Sequence, residues 1–182
     1  VTDQPHRGRD PDRRERILLA TLDVIASHGV AGTTHRRVAA AAGVPLGSMT
    51  YHFDGMEALL LEAFTRLATE MHADYASLLD AARSPAEAAE AVVEVISGGR
   101  IATPRNMQLV CELWAYTGRI PVLRTVMQGW LGQSRAALGR HFDAHTVHAL
   151  DALVEGLTLH NMVDPQPLSR ADVRAIVARL TS

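Results

Sequence analysis

The chain has 182 residues, 47% of them hydrophobic but only 4% aromatic, a formal net charge of −2 and a single cysteine. That length supports a real core, in one domain or in a small one plus a larger one. The charge excludes a globally basic nucleic-acid coat, and one thiol, Cys111, excludes an internal disulfide framework and suits a reducing compartment.

All 18 basic residues are Arg, so no ammonium is available for Schiff-base chemistry. Charge is uneven along the chain: residues 1–55 carry seven Arg against six acids, and Val24 to Phe53 holds two Arg and no acid. No apolar run approaches the roughly 18 residues of a membrane helix. The opening residues 1–9 are polar and lack the apolar centre of a signal peptide, so they read as a flexible arm of a soluble, cytoplasmic protein.

Asp10-Pro11 supplies a helix start, and Ile17, Leu18, Thr21, Leu22 and Ile25 recur at helical spacing until Gly29 closes the helix in a left-handed conformation. Thr33 or Thr34 caps a second helix that ends at Gly43, and residues 46–52 form a third. The expected shared core is Leu22, Ile25, Val38, Ala42, Val44, Met49 and Phe53. A long helix follows from Met56, with Leu59, Leu60, Ala63, Phe64, Leu67, Met71, Tyr75, Leu78 and Leu79 on one stripe.

Ser84-Pro85-Ala86-Glu87 reads as a capping box opening a helix that stops at Gly98-Gly99. Thr103-Pro104 opens another, ending near Gly118. Pro121 opens one running to about His141, and a further helix covers about 146–163 before Asp164-Pro165-Gln166-Pro167. Ser169-Arg170-Ala171-Asp172 caps a last helix through Leu180. No segment alternates as a strand does. The expectation is an all-α chain of about nine helices, divided as residues 1–9, 10–55 and 56–182.

The segment from Thr33 to Phe53 reads as a helix-turn-helix, a device that lays its second helix in a DNA major groove. Small Ala39, Ala42 and Gly43 let the two helices cross closely. Met49 and Phe53, four apart, point back to the core. Ser48, Thr50, Tyr51 and His52 are left for phosphates and base edges, and Leu46 or Thr50 for a thymine methyl. Thr34, Arg36 and Leu46-Gly47-Ser48 would position the unit. A buried hairpin would explain the apolar residues but not four polar or hydrogen-bonding side chains on one short helix.

These residues resemble the TetR family of one-component transcriptional regulators. The resemblance lies in His28-Gly29, Thr33-Thr34, Val38-Ala39, Ala42-Gly43-Val44, Tyr51-His52-Phe53 and Glu57-Ala58-Leu59-Leu60, about the first third of the chain. It implies a three-helix DNA-binding unit, a connecting fourth helix and a C-terminal body that binds a small-molecule effector and forms a homodimer. It further implies a repressor released from a palindromic operator. Two positions depart from the family's usage. Pro45 stands where a capping Ser is common, and Met56 where a Lys often holds a phosphate. Loss of one such contact flattens the log–log salt slope by roughly 0.9 per subunit. Arg7, Arg9, Arg13, Arg14, Arg36 and Arg37 can supply charge instead.

The resemblance places the dimer seam on the helices near 121–141 and 146–163. Gly129, Gly132, Ala136 and Gly139 recur there three or four apart, and Trp130, Leu131, Leu138, Leu150, Leu153, Val154 and Leu157 supply apolar area. The same stripe also suits packing within one chain. Effector-lining candidates are Met71, Tyr75, Met107, Cys111, Trp114, Tyr116, His160 and Met162, which favour a largely hydrophobic ligand and which ordinary core packing explains as readily. His141, His145 and His148 have a spacing that can hold a metal, but a turn at Phe142-Asp143 favours solvated helix ends and no metal or other cofactor. Cys111 reads as an inert buried thiol or a redox sensor. No nucleophile–base pair stands at a catalytic spacing, so the chain reads as a regulator, with a dimeric scaffold or a metal- or redox-responsive regulator as alternatives and an enzyme last.

Overall fold

A computed structural model describes residues 11–182; the arm at residues 1–9 and Asp10 lie outside them. Nine helices and no strand are present among the described residues: α1 (Pro11–His28), α2 (His35–Ala42), α3 (Gly47–His52), α4 (Gly55–Asp80), α5 (Pro85–Ser97), α6 (Pro104–Tyr116), α7 (Pro121–Leu138), α8 (Ala144–His160) and α9 (Arg170–Leu180). By packing, the chain divides into two units at Arg66/Leu67, inside α4, rather than at its first residue. The first turns of α4 belong to the small unit because Leu59, Leu60, Ala63 and Phe64 are buried and Glu62 and Arg66 pair with Arg14 and Glu15 of α1.

In the first unit α1 lies against α2, and Ile17, Leu22, Ile25, Val38, Met49 and Phe53 are buried. Ala42 and Val44, expected in this core, are only half-buried, because they flank the turn at Gly43 where the backbone comes to the surface. Gly29 is left-handed, as its place after α1 predicts, with φ 68°. Thr33 is buried and its hydroxyl donates to the Gly29 carbonyl. The cap of α2 is therefore Thr34.

The second unit takes in the rest of α4 and α5–α9. Its core includes Leu79, Val92, Leu109, Leu113, Leu123, Leu138 and Leu150, each 0% exposed. α5 packs on α8 and α9, and α7 on α6 and α8. Helix starts follow their capping residues. Thr103 Oγ1 accepts from the Asn106 amide, and Ser169 and Asp172 form a full capping box. At Ser84 the box is displaced by one residue: its hydroxyl accepts from the Glu87 amide, but the Glu87 carboxylate reaches back to the Arg83 amide at 2.7 Å. α7 ends at Leu138, short of His141. Asp143 caps α8 through the amides of His145 and Thr146, so α8 begins two residues earlier than its apolar spacing suggests.

Candidate nucleic-acid interface and ligand cavity

α2 starts where the Thr34 hydroxyl accepts from the Arg37 amide at 3.2 Å. It ends in a Schellman motif: the Gly43 amide donates to the Ala40 carbonyl and the Val44 amide to the Ala39 carbonyl. That motif needs the left-handed backbone at Gly43, φ 64°, and it turns the chain sharply into α3. Pro45 has no side-chain oxygen to cap α3. The Ser48 amide bonds the Pro45 carbonyl instead, a tighter turn, and no side chain caps the helix.

The short helix is anchored from behind by Met49 at 0% exposed and Phe53 at 3%. Arg14 of α1 lies 5.3 Å above the Phe53 ring centroid, which holds the end of the helix. The outward face carries Leu46, 50% exposed, Tyr51, 71% exposed, Gly47 and Thr50, with Ser48 and His52 half-buried beside them. Tyr51 and His52 stack edge to face with centroids 4.9 Å apart. Thr50 donates to the Gly47 carbonyl, leaving its oxygen lone pairs and methyl outward. Thr34 and Arg36 are exposed at the start of α2. An apolar back and a polar, acid-free front give a face suited to phosphates and base edges.

The second unit holds a cavity walled by α4, α6, α7 and α8, with Val95 of α5 and the Ile101-Ala102 segment closing one side. The cavity volume is about 80 Å³. That is room for on the order of six waters, the bulk of a two- or three-ring molecule. Met71, Met107, Val110, Met127, Trp130, Leu131 and Val154 make an apolar lining, broken by His72, Tyr75, Ser134, Asp151, Glu155 and Thr158.

Asp151 is only 7% exposed and its charge is satisfied from α7: Ser134 Oγ donates to one carboxylate oxygen at 2.7 Å and Arg135 Nε to the other at 2.8 Å. Glu155, one turn on, accepts from the Trp114 indole at 2.5 Å. Burial raises the Glu155 carboxyl above its ordinary range; the Trp114 hydrogen bond opposes this, the Asp151 charge adds to it, and the Arg135 charge opposes it. Burial likewise raises the Tyr75 phenol, offset in part by the neighbouring Ser134. The Ser134 hydroxyl gives its proton to Asp151, so toward Tyr75 it can only accept, and the buried Tyr75 hydroxyl has no hydrogen bond of ordinary length among the described residues.

Comparison with known proteins fits both halves. Residues 17–63 match the bacterial regulatory proteins of the tetR family, and residues 83–182 match the tetracyclin repressor-like C-terminal domain. The chain belongs to the TetR family. A solved transcriptional regulator of Streptomyces coelicolor A3(2), SCO7518, is 46% identical, with a TM-score of 0.88 over 94% of this chain and 99% of that one. The multidrug binding protein EbrR, solved with imidazole, is 32% identical, with a TM-score of 0.73 over 94% and 96% of the two chains. EbrR has also been solved with ethidium, proflavin and malachite green. Among curated proteins, the regulator BetI of Agrobacterium fabrum is 25% identical over 95% of this chain and 88% of its own.

The chain is thus a TetR-family helix-turn-helix transcriptional regulator. Its cavity gathers three of the expected ligand residues, Met71, Tyr75 and Met107. Trp114 does not line it but donates to Glu155, which does. Cys111, Tyr116, His160 and Met162 do not line it. Cys111, read as a buried thiol, is exposed with its sulfur 4.0 Å from that of Met162, and His160 is exposed at the end of α8. His72, Ser134, Asp151, Glu155 and Thr158, which the sequence did not single out, also line it. A signal was present: Asp151 sits four residues after buried Val147 and three before Val154, in the middle of the apolar stripe of α8.

The expected dimer stripe separates in this TetR-family body. Gly129, Gly132 and Ala136 are exposed on α7, and Leu157 is half-buried on α8. Trp130, Leu131 and Val154 face the cavity. Leu138 and Leu150 are wholly buried in the chain's own core, so neither is available to a second copy. His141 follows α7 and bonds the Leu79 carbonyl, while His145 and His148 are exposed on α8. Among the described residues no group of three or more His, Cys, Asp or Glu is placed to hold a metal. No helix among them is long and apolar enough to cross a membrane.

Proposed function

We propose that the chain is a homodimeric, cytoplasmic, non-enzymatic repressor that binds a palindromic operator and leaves it when a small, largely apolar molecule enters the cavity. The observation that carries this reading is α3. Its Leu46, Ser48, Thr50, Tyr51 and His52 form an outward face held rigid by buried Met49 and Phe53, in a stretch without acids. Tyr51 and His52 clamp phosphates, Ser48 and Thr50 reach base edges, and Thr34, Arg36 and Gly47 set the approach of α2 and α3 to the backbone.

One such unit covers little DNA, and dimers read half-sites about 34 Å apart. Support for a dimer comes from Gly129 and Gly132: a Cβ at either would meet nothing within 4 Å, so the chain's own packing does not require glycine there. Exposed Ala136 and half-buried Leu157 complete a face on which a second copy can lie close. Helix α4 links the two activities covalently. Leu59 to Phe64 pack in the first unit, and Met71 and Tyr75 line the cavity, so a ligand that prefers a different position of α4 shifts the operator-competent population.

The multidrug binding protein EbrR, solved with ethidium, proflavin and malachite green, supports a cavity with pliable walls, and three methionines here supply them. Fluorescence anisotropy with the DNA flanking the protein's own gene tests the reading. Specific, salt-sensitive binding by a dimer is expected. A monomer that ignores that DNA would overturn it.

A further inference from the structure

We propose that the cavity takes an organic cation with an apolar body, with the Glu155 carboxylate as its counter-ion and the Tyr75 hydroxyl as its polar contact. This rests on the cavity being the ligand site of the regulator.

Two carboxylates face the cavity, and they are not equivalent. Asp151 is neutralised by Arg135 and hydrogen-bonded by Ser134. Among the described residues Glu155 has no ion-pair partner; its hydrogen bond is to the neutral Trp114 indole, and Arg135, whose charge it feels, is bonded to Asp151. A carboxylate turned toward an apolar lining is costly unless it takes a proton or a cation. Burial does favour the proton in the empty site, as the raised Glu155 carboxyl indicates. A ligand cation would replace that proton.

The walls say which cation. Thioethers and an indole are poor ligands for hard metal ions, which need several oxygens, and a small ammonium ion is strongly hydrated. A quaternary or ring-delocalised cation loses little hydration and gains from the Trp130 face and the sulfur atoms of Met71, Met107 and Met127. Tyr75 adds an independent sign of an absent partner. It is 7% exposed, lines the cavity beside Ser134, and its hydroxyl has no hydrogen bond of ordinary length among the described residues. Buried hydroxyls are otherwise satisfied.

The test compares N-methylquinolinium with quinoline, rings of nearly the same shape that differ in charge at mildly alkaline pH. Binding to the full-length protein is measured by isothermal calorimetry, with circular dichroism melts as a folding control. The expected result is that the cation binds about tenfold more tightly or better. Glu155→Gln keeps an acceptor for Trp114 and should abolish that preference while leaving quinoline within about threefold. Equal or weaker binding of the cation, or an unchanged preference in E155Q, overturns the counter-ion assignment and leaves the ligand cavity standing. Binding of neither ring overturns the assignment and the cavity reading together. The charge preference of the unaltered protein stands as a result whatever E155Q does to folding.

Discussion

In the first unit the groups proposed to meet DNA sit on the outside of a core that is itself ordinary: Tyr51, Leu46 and Thr50 are exposed, and Met49 and Phe53 behind them are buried. In the second unit the polar groups are inside. Asp151 is 7% exposed, the Tyr75 hydroxyl is enclosed, and Glu155 faces a lining of methionines. The difference follows from the partner each must meet. DNA is a large polyanion that binds a surface, and an apolar small molecule gains most by leaving water. Mutations should therefore separate stability from affinity cleanly in the first unit and mix them in the second.

The largest effect expected is from Met49→Ala, which empties a wholly buried site and should cost about 2–5 kcal/mol. It should remove operator binding while calorimetric ligand binding to the cavity persists; loss of both together would mean the two units are one cooperative fold. Next comes Arg135→Ala, which leaves the buried Asp151 carboxylate with only Ser134. About 1–3 kcal/mol should be lost in denaturant titrations.

Tyr51→Ala should leave the melting temperature unchanged, since the ring is 71% exposed, and weaken operator binding about tenfold, or about 1.4 kcal/mol. A change within twofold would remove Tyr51 from the interface. Met56→Lys should steepen the log–log salt dependence of operator binding by about 0.9 per subunit.

The smallest effect belongs to the surface. Arg174 and Arg170 hold the Glu90 carboxyl down to about 2. A depressed acid stabilises the fold above its ordinary range, and this is lost as pH falls from about 4.5 toward 2. The group is exposed, so solvent screens the gain. Arg174→Ala should slightly flatten the acid limb of the stability curve.

Helix boundaries were readable because they are local events. Ser169, Thr103, Gly29 and Gly43 act on backbone groups within a few residues, and each was found where its chemistry requires. The outward face of α3 was readable for the same reason, since its direction follows from the spacing of Met49 and Phe53. What covers an apolar stripe is not local. Leu150 and Leu157 occupy similar positions along α8, yet one is sealed in the chain's own core and the other is half-buried. The polar half of the cavity is likewise set by contacts distant in sequence. Carboxylates on helices are usually solvated, and only the arrival of Ser134 and Arg135 from α7 makes Asp151 tolerable inside.

The placement of the two indoles has a practical consequence. Trp130 lines the cavity and Trp114 is bonded to Glu155 in its wall, and the chain has no other tryptophan. Intrinsic emission excited at the red edge therefore originates entirely around the cavity and is blind to α1–α3. A ligand can be titrated without any label, even with operator present, and a spectral change on adding DNA alone would be a direct optical record of communication along the chain.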